Sequence, residues 1–389
     1  MPCSSQDETV QCSAVSSSRS ILVIISLLIF TPILARSFPT IDEEPGVAID
    51  PATIESISGA AIQLIEATTG SSREQIHVST SPGANGSGAL FEWSFLPGKR
   101  AGLRLDEMNY LQRIRAQQLV RSTLSETGFL KWNAIVALEI VLRELSMNKR
   151  HGKPDPSRNA GQYTFCIVGD PVGSAPWGWR VEGHHISLRF LLQGNRLLSS
   201  TPAFLGAAPT VPPVGPNIGM EVLGPEETIA MELAMSLHGD QKEMALRSEG
   251  VPRDILHGPD RGVSVKPEGI RRDQLEPAQR ELLDRLIDTH LGMMCSPMLK
   301  AERARIDLTD PDSIRFCWWG SIDKLQRHSY RIHGPTMLIE FVRMGVEPVP
   351  GTMHMLPLVY GHVHIVRRDP SRDLDVSPLR EHLEKAHKE

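Results

Sequence analysis

The chain has 389 residues, of which 40% are hydrophobic and 22% charged, with 29 Pro, 31 Gly and a formal net charge of -5. This composition is ordinary for a globular protein with many turns. The acidic balance, with no basic stripe interleaved with aromatic residues, argues against nucleic acid as the main partner, and the length suits one large domain or two average ones.

Residues Ile21 to Ala35 form a 15-residue apolar run preceded by Arg19 and ending in Ile33-Leu34-Ala35 beside small or polar residues. A basic flank, an apolar segment and a small-residue end are the parts of an export signal, so residues 1–35 are read as a signal peptide with a polar, Ser-rich extension. The run falls short of the roughly 20 residues that a spanning helix needs, and Pro32 breaks it. A cleaved signal and an exported protein, periplasmic or extracellular, are therefore expected ahead of a permanent N-terminal membrane anchor. Cys3 and Cys12 would leave with the signal, and Cys166, Cys295 and Cys317 would remain. Cys166 and Cys317 sit in apolar stretches, where buried, inert thiols are expected, and no CxxC pair suggests a zinc ribbon.

Residues 36–49 read as a linker and 50–389 as a single α+β domain. Ile54 to Thr68 looks helical, and Ser79 to Ser87 is a loop. Within 105–145 the spacing of Ile135, Leu138, Leu142 and Leu145 predicts a helical region of two packed helices interrupted at Gly128. Tyr163 to Val168 reads as a strand, Gly169-Asp170-Pro171 as a turn, and Trp179 to Leu192 as one long strand. On that strand Glu182 and His184 share a face, and His185 takes the other. Thr201 to Gly219, rich in Pro and Gly, reads as a long structured loop or a linker.

Helices return at Pro225 to Leu237 and at Pro277 to His290, with Glu226 and Glu227 as dipole partners at the start of the first. From Ile314 the strand pattern resumes at 314–320, Ser329 to His333, Thr336 to Val342 and Val359 to Val366. A short charged helix is expected from Pro378; its His382 and His387 lie five apart and so form no i, i+4 metal pair. The expectation is a mixed or antiparallel sheet built from strands near 163–192 and 314–366, with packed helices from 105–145 and 225–290.

The densest chemistry lies in Gly361 to Asp369, which holds two imidazoles, two guanidiniums and a carboxylate in nine residues. On a strand the period of two sends His362 and His364 to one face. With His184 from another strand they make a candidate metal set, and Glu340, bracketed by apolar residues, is either paired with an arginine such as Arg331 or Arg368 or engaged at the site as a fourth ligand or general base. Imidazole and carboxylate together suit one divalent transition metal, whether zinc, iron, copper or manganese.

These pieces resemble a bacterial family known as domain of unknown function 3500. The resemblance is carried by Trp93 to Pro97, Leu124-Ser125 with Gly128-Phe129, Gly169-Asp170-Pro171, Trp177-Gly178-Trp179, Glu182-Gly183-His184-His185, Pro202 to Pro209, Gly215-Pro216 and Glu226-Glu227. It continues through Trp319-Gly320, Tyr330-Arg331-Ile332, Gly334-Pro335-Thr336, Ile339-Glu340, His362-Val363-His364, Arg368-Asp369 and Asp373, and so covers residue 50 to the end. The family name implies no reaction. The resemblance implies a short Asn-rich turn before His-x-His, whereas here Arg343 to Tyr360 is longer and rich in Met and Pro, and Gly361 stands where Asn is expected. His354 lies in that insertion.

No Gly-x-Ser-x-Gly elbow, phosphate-binding Gly-rich loop, Gly-x-Gly-x-x-Gly or His-Glu-x-x-His is present. Serine hydrolase, nucleotide-driven enzyme and thermolysin-like protease lose ground accordingly. The favoured reading is a metal-dependent hydrolase with His184, His362 and His364 on the metal, Glu340 or Glu182 moving the proton, and Arg368 beside them. An oxidoreductase with iron or copper would use the same ligands. The rival is a non-catalytic binding protein for a small anionic or sugar-like ligand, using Arg180, Arg331, Arg368, His185, Trp177, Trp179 and Trp319.

Overall fold

A computed structural model describes residues 46–79, 90–147, 153, 155–215, 218–259, 265–346 and 361–374. The apolar run at 21–35, His354 and the tail from Pro378 lie outside these residues. The described residues fall within one unit, Pro45–Glu389.

In chain order, β1 (Val47–Ala48), α1 (Pro51–Glu66), α2 (Gly70–Ile76), β2 (His77–Val78), β3 (Leu103–Arg104), α3 (Tyr110–Thr123) and α4 (Glu126–Met147) come first. A run of strands follows: β4 (Thr164–Val168), β5 (Trp177–Gly183), β6 (Ile186–Gln193), β7 (Arg196–Ser199) and β8 (Ala203–Ala207). The middle is helical, with α5 (Gly224–Ser236), α6 (Asp240–Ala245), β9 (Leu246–Arg247), β10 (Ile270–Arg271), α7 (Pro277–Leu291) and α8 (Ser296–Leu308). Four strands complete the sheet: β11 (Arg315–Gly320), β12 (His328–Gly334), β13 (Met337–Val346) and β14 (Gly361–Arg368).

All fourteen strands join one open, mixed sheet whose main path is β10-β11-β12-β13-β14-β8-β6-β5-β4-β2. The fold is α+β, as expected, with strands from both ends of the chain meeting around the helical middle. Three details differ from the sequence reading. Trp179 to Leu192 is two strands, because His184 and His185 form a two-residue turn between Gly183 and Ile186, which pair with each other. The Pro- and Gly-rich stretch holds β8, which pairs with both β14 and β6 and so joins the halves of the sheet. The helical break falls at Leu124-Ser125, where Ser125 Oγ accepts from Gly128 N at 2.9 Å. Gly128 lies inside α4, where a Cβ would sit 2.1 Å from the Met293 carbonyl oxygen.

Residues directly opposite on neighbouring strands share a face. One row runs Trp318, Tyr330, Phe341, Ile365, Leu205, Ile186 and belongs to the main core under the helices. The next row, on the other face, runs Arg331, Glu340, Val366, Phe204, Ser187, Glu182. This second face is polar yet buried, because Trp93, Phe95 and Ile255 pack over Phe204, Val342 and Val366. Cys166, Cys295 and Cys317 are free thiols, the first and last buried. Among the described residues no helix is long and apolar enough to cross a membrane.

Candidate metal centre

The strand alternation that places His362 and His364 on one face of β14 holds, and their ring centroids lie 4.5 Å apart. The third histidine is His185, not His184. Because the two occupy a turn, strand alternation does not apply to them: His185 adopts φ 64°, a left-handed conformation uncommon outside Gly, though His shares with Asn and Asp a greater tolerance of it. Its backbone is fixed in that state, with its N–H donating to Phe95 O at 3.0 Å and its carbonyl accepting from Gly206 N at 2.8 Å. The turn thereby directs the His185 ring toward β14, with Nε2 2.9 Å from His362 Nε2.

One ring nitrogen from each of His185, His362 and His364 can be chosen so that all three lie within 4.8 Å of one another. His364 Nδ1 lies 2.7 Å from Asp254 Oδ1, while its Nε2 is buried without a partner, as is His185 Nδ1. A carboxylate behind one imidazole nitrogen orients the ring and raises the basicity of the other, the arrangement found behind metal-bound histidines. Phe95 and Phe204 each meet the His364 ring edge-on at 5.0 Å and wall it off. Gly206 forms the floor: a Cβ there would meet His185 Cδ2 at 2.9 Å and His364 Cδ2 at 3.1 Å.

Burial, with the nearby histidines, holds His185 well below its ordinary pKa and lowers His362 to about 3. Both rings are therefore neutral near pH 7, the form that binds metals. His362 is partly exposed, so the cluster reaches solvent on that side. Three imidazoles and an accessible side are the protein share of a catalytic transition-metal site.

His184 stands beside the triad. Its ring stacks on His185 at 3.7 Å, and its Nδ1 pairs with the buried carboxylate of Glu139. Tyr163 donates from its hydroxyl to the His184 carbonyl at 2.7 Å. Burial lowers the pKa of His184, against the pull of Glu139.

The remaining candidates are engaged elsewhere on the polar face. Glu340 accepts from Leu256 N at 2.8 Å, His257 N at 2.9 Å and Arg331 Nε at 3.1 Å, and it pairs with His257 Nδ1 at 2.9 Å. Of the two alternatives open for Glu340, partner to an arginine or member of the site, the coordinates show the first. Glu182 accepts from Arg100, Arg180, Arg189, Ser187 and the Ser94 N–H, which leaves it no free lone pair for proton transfer. Arg368 pairs with Asp373 at 2.6 Å and donates to the His257 and Gly258 carbonyls. Trp179 belongs to the apolar core, stacked on Phe190, and Trp319 lies under the Arg331 guanidinium at 5.2 Å. Glu340 and Arg368 thus grip the segment that carries Asp254.

A family model described as Protein of unknown function (DUF3500) matches residues 50–375. The chain belongs to that family. No curated protein and no solved structure matches this DUF3500 chain. The Gly361 departure has a local cause here: a Cβ at that position would lie 1.8 Å from Arg343 Nη1, in the buried pair that Arg343 makes with Glu227.

Sequence reasoning missed Asp254, Glu139 and Gly206. Asp254 and Glu139 come from a loop and a helix far along the chain from His184, His185, His362 and His364 and carry no local signal. Gly206 had one: a glycine between apolar residues in a strand marks close approach of another group.

Proposed function

We propose that His185, His362 and His364 hold one divalent transition metal and that the centre serves as a metal-dependent hydrolase. The observation that carries this reading is the convergence of three buried or half-buried ring nitrogens with His364 Nε2 unpartnered and His364 Nδ1 held by Asp254. A dication there would supply a Lewis acid and an acidified water for attack on an ester, amide or phosphoester. Glu340 and Glu182, once candidates for the general base, are saturated by arginine and backbone donors and drop out of that role. The identity of the metal separates this reading from an oxidoreductase with iron or copper on the same ligands. The rival of a non-catalytic binding protein draws little support, since Arg180, Arg331 and Arg368 already face carboxylates.

The test is elemental analysis of the purified protein beside a His362→Ala/His364→Ala variant. About one equivalent of a transition metal, lost in a variant that keeps its circular dichroism spectrum, is the expected result. Absence of metal in both after reconstitution overturns the proposal. The proposal also includes export, on the apolar run at 21–35; N-terminal sequencing that begins near residue 36 is the expected outcome.

A further inference from the structure

Arg158 lies in the loop between α4 and β4, at the end of a turn in which Asp155 Oδ1 accepts from the Ser157 N–H at 2.9 Å and from its hydroxyl at 2.7 Å. The Arg158 N–H donates to the Asp155 carbonyl at 3.1 Å, and Asn159 caps the short turn that follows by accepting from Gly161 N at 2.8 Å. The loop is thus tied down on both sides of the arginine. The Arg158 side chain has a different character from the other arginines named above. Arg100, Arg180 and Arg189 face Glu182, Arg331 faces Glu340, Arg343 faces Glu227 and Arg368 faces Asp373. Among the described residues no carboxylate lies within ion-pair distance of Arg158.

Its only side-chain contact there is with His184, where Nη1 is 2.9 Å from Nδ1 and 3.0 Å from Nε2. His184 Nδ1 also pairs with Glu139, and Nη1 is engaged by the His184 ring. The Nε and Nη2 donors of the guanidinium make no hydrogen bond among the described residues and remain available. His184 stacks on His185, which places this half-buried charge one ring away from the triad, and its positive field reaches His185 and His362. A small polar cleft lined by Arg100, Glu139, Ser157, Asn159, Tyr163 and His184 adjoins the same histidine, with Arg158 outside its lining. With a dication in the triad, Arg158 outweighs what Glu139 and Asp254 leave, and the site as a whole is net positive.

We propose that Arg158 is the anion-binding residue of this site and that the substrate carries a carboxylate or phosphate group, gripped by the guanidinium while the bond to be broken faces the triad. Guanidinium donors match the paired oxygens of either group, which is why an arginine held without a carboxylate next to a metal site selects for oxyanions. This rests on the metal-centre reading for the triad, while the anion contact itself belongs to Arg158.

The experiment titrates inorganic phosphate and, separately, acetate into the cobalt-reconstituted and the chelator-treated protein, with calorimetry for affinity and the visible cobalt spectrum for contact with the metal. Wild type, Arg158→Gln and Arg158→Lys are compared after circular dichroism shows that each is folded. The expected result is binding of at least one anion, weakened about 10-fold or more in Arg158→Gln and partly restored in Arg158→Lys. Preference between phosphate and acetate identifies the group. Cobalt uptake with anion binding that is absent, or equal in all three proteins, overturns the role of Arg158 and leaves the metal centre standing. Failure to take up cobalt with anion binding that still depends on Arg158 overturns the metal centre and leaves the arginine's role standing.

Discussion

His185 combines an unfavourable backbone conformation with an imidazole that has one buried nitrogen unpartnered. Holding an ordinary side chain in the left-handed region costs roughly 1–2 kcal/mol, and such strain persists where function needs the side chain. His185→Gly removes that cost, so its urea midpoint is expected at or above that of the wild type while metal uptake falls. A variant that loses stability and keeps its metal would contradict the role given to His185. Asp254→Asn keeps the shape of the support behind His364 but not its charge, and metal affinity should fall by about 10–100-fold with little change in stability. Competition with a chromogenic chelator measures it. Gly206→Ala forces the His185 and His364 rings apart and should lower metal affinity by on the order of 10-fold; an unchanged affinity would show that the floor is not the constraint the contacts imply.

At the scale of elements, the segment at 254–258 depends on two buried charges from neighbouring strands. Glu340 holds it by two backbone N–H groups and Arg368 by two carbonyls, and Asp254 rides on it. Glu340→Ala would leave Arg331 buried beside a vacancy, a loss of about 3–5 kcal/mol for a broken buried pair. Denaturant unfolding reads the loss, and metal affinity should fall with it because Asp254 loses its support. The apolar bracket around Glu340 announced a buried carboxylate that needs a partner, and Arg331 was among the partners foreseen. His362 and His364 were legible because a strand alternates. His185 was misread because the run from Trp179 to Leu192 is β-branched and aromatic on both sides of the turn, and His-His lacks the Gly or Asn that marks a tight hairpin. β8 was hidden by Pro202 and Pro209, which bound a five-residue strand and made the whole stretch look like loop.

Across the whole molecule buried carboxylates and buried histidines together set the response to acid. Burial alone would raise Glu227, Glu302 and Glu340, but hydrogen bonds and nearby charges outweigh it: His328 and Arg343 for Glu227, Arg372 and Arg305 for Glu302, His257 and Arg331 for Glu340. Their folded-state values therefore lie below the unfolded value of about 4.3. Stability from these groups is present above that value and is lost as pH falls through the lower folded values. Buried histidines add to this: burial holds His185, His290 and His362 neutral far below the unfolded value of about 6.5, so stability falls as pH drops below that value, against a smaller opposing gain from Asp373, which burial raises to about 6. Urea midpoints should therefore decline below about pH 6.5 and decline further below about pH 4; midpoints that hold level down to about pH 5 would mean that these histidines are not buried in the neutral form. The α+β class and the meeting of both chain ends were readable from the order of strand and helix patterns, but partners such as Glu139 with His184 depend on packing between elements, which periodicity does not encode.

The last strand among the described residues is the central one in the sheet. β14 separates β13 from β8, and its neighbour β8 is made more than 150 residues earlier. During synthesis the two halves of the sheet must wait with open edges until β14 leaves the ribosome, and long-range pairing of this kind is slow to form. Unpaired apolar edges invite association with other chains. A nascent chain stopped before residue 361 would therefore present two sticky half-sheets, and a helper that shields strand edges would act on this protein late, at the moment when β14 inserts.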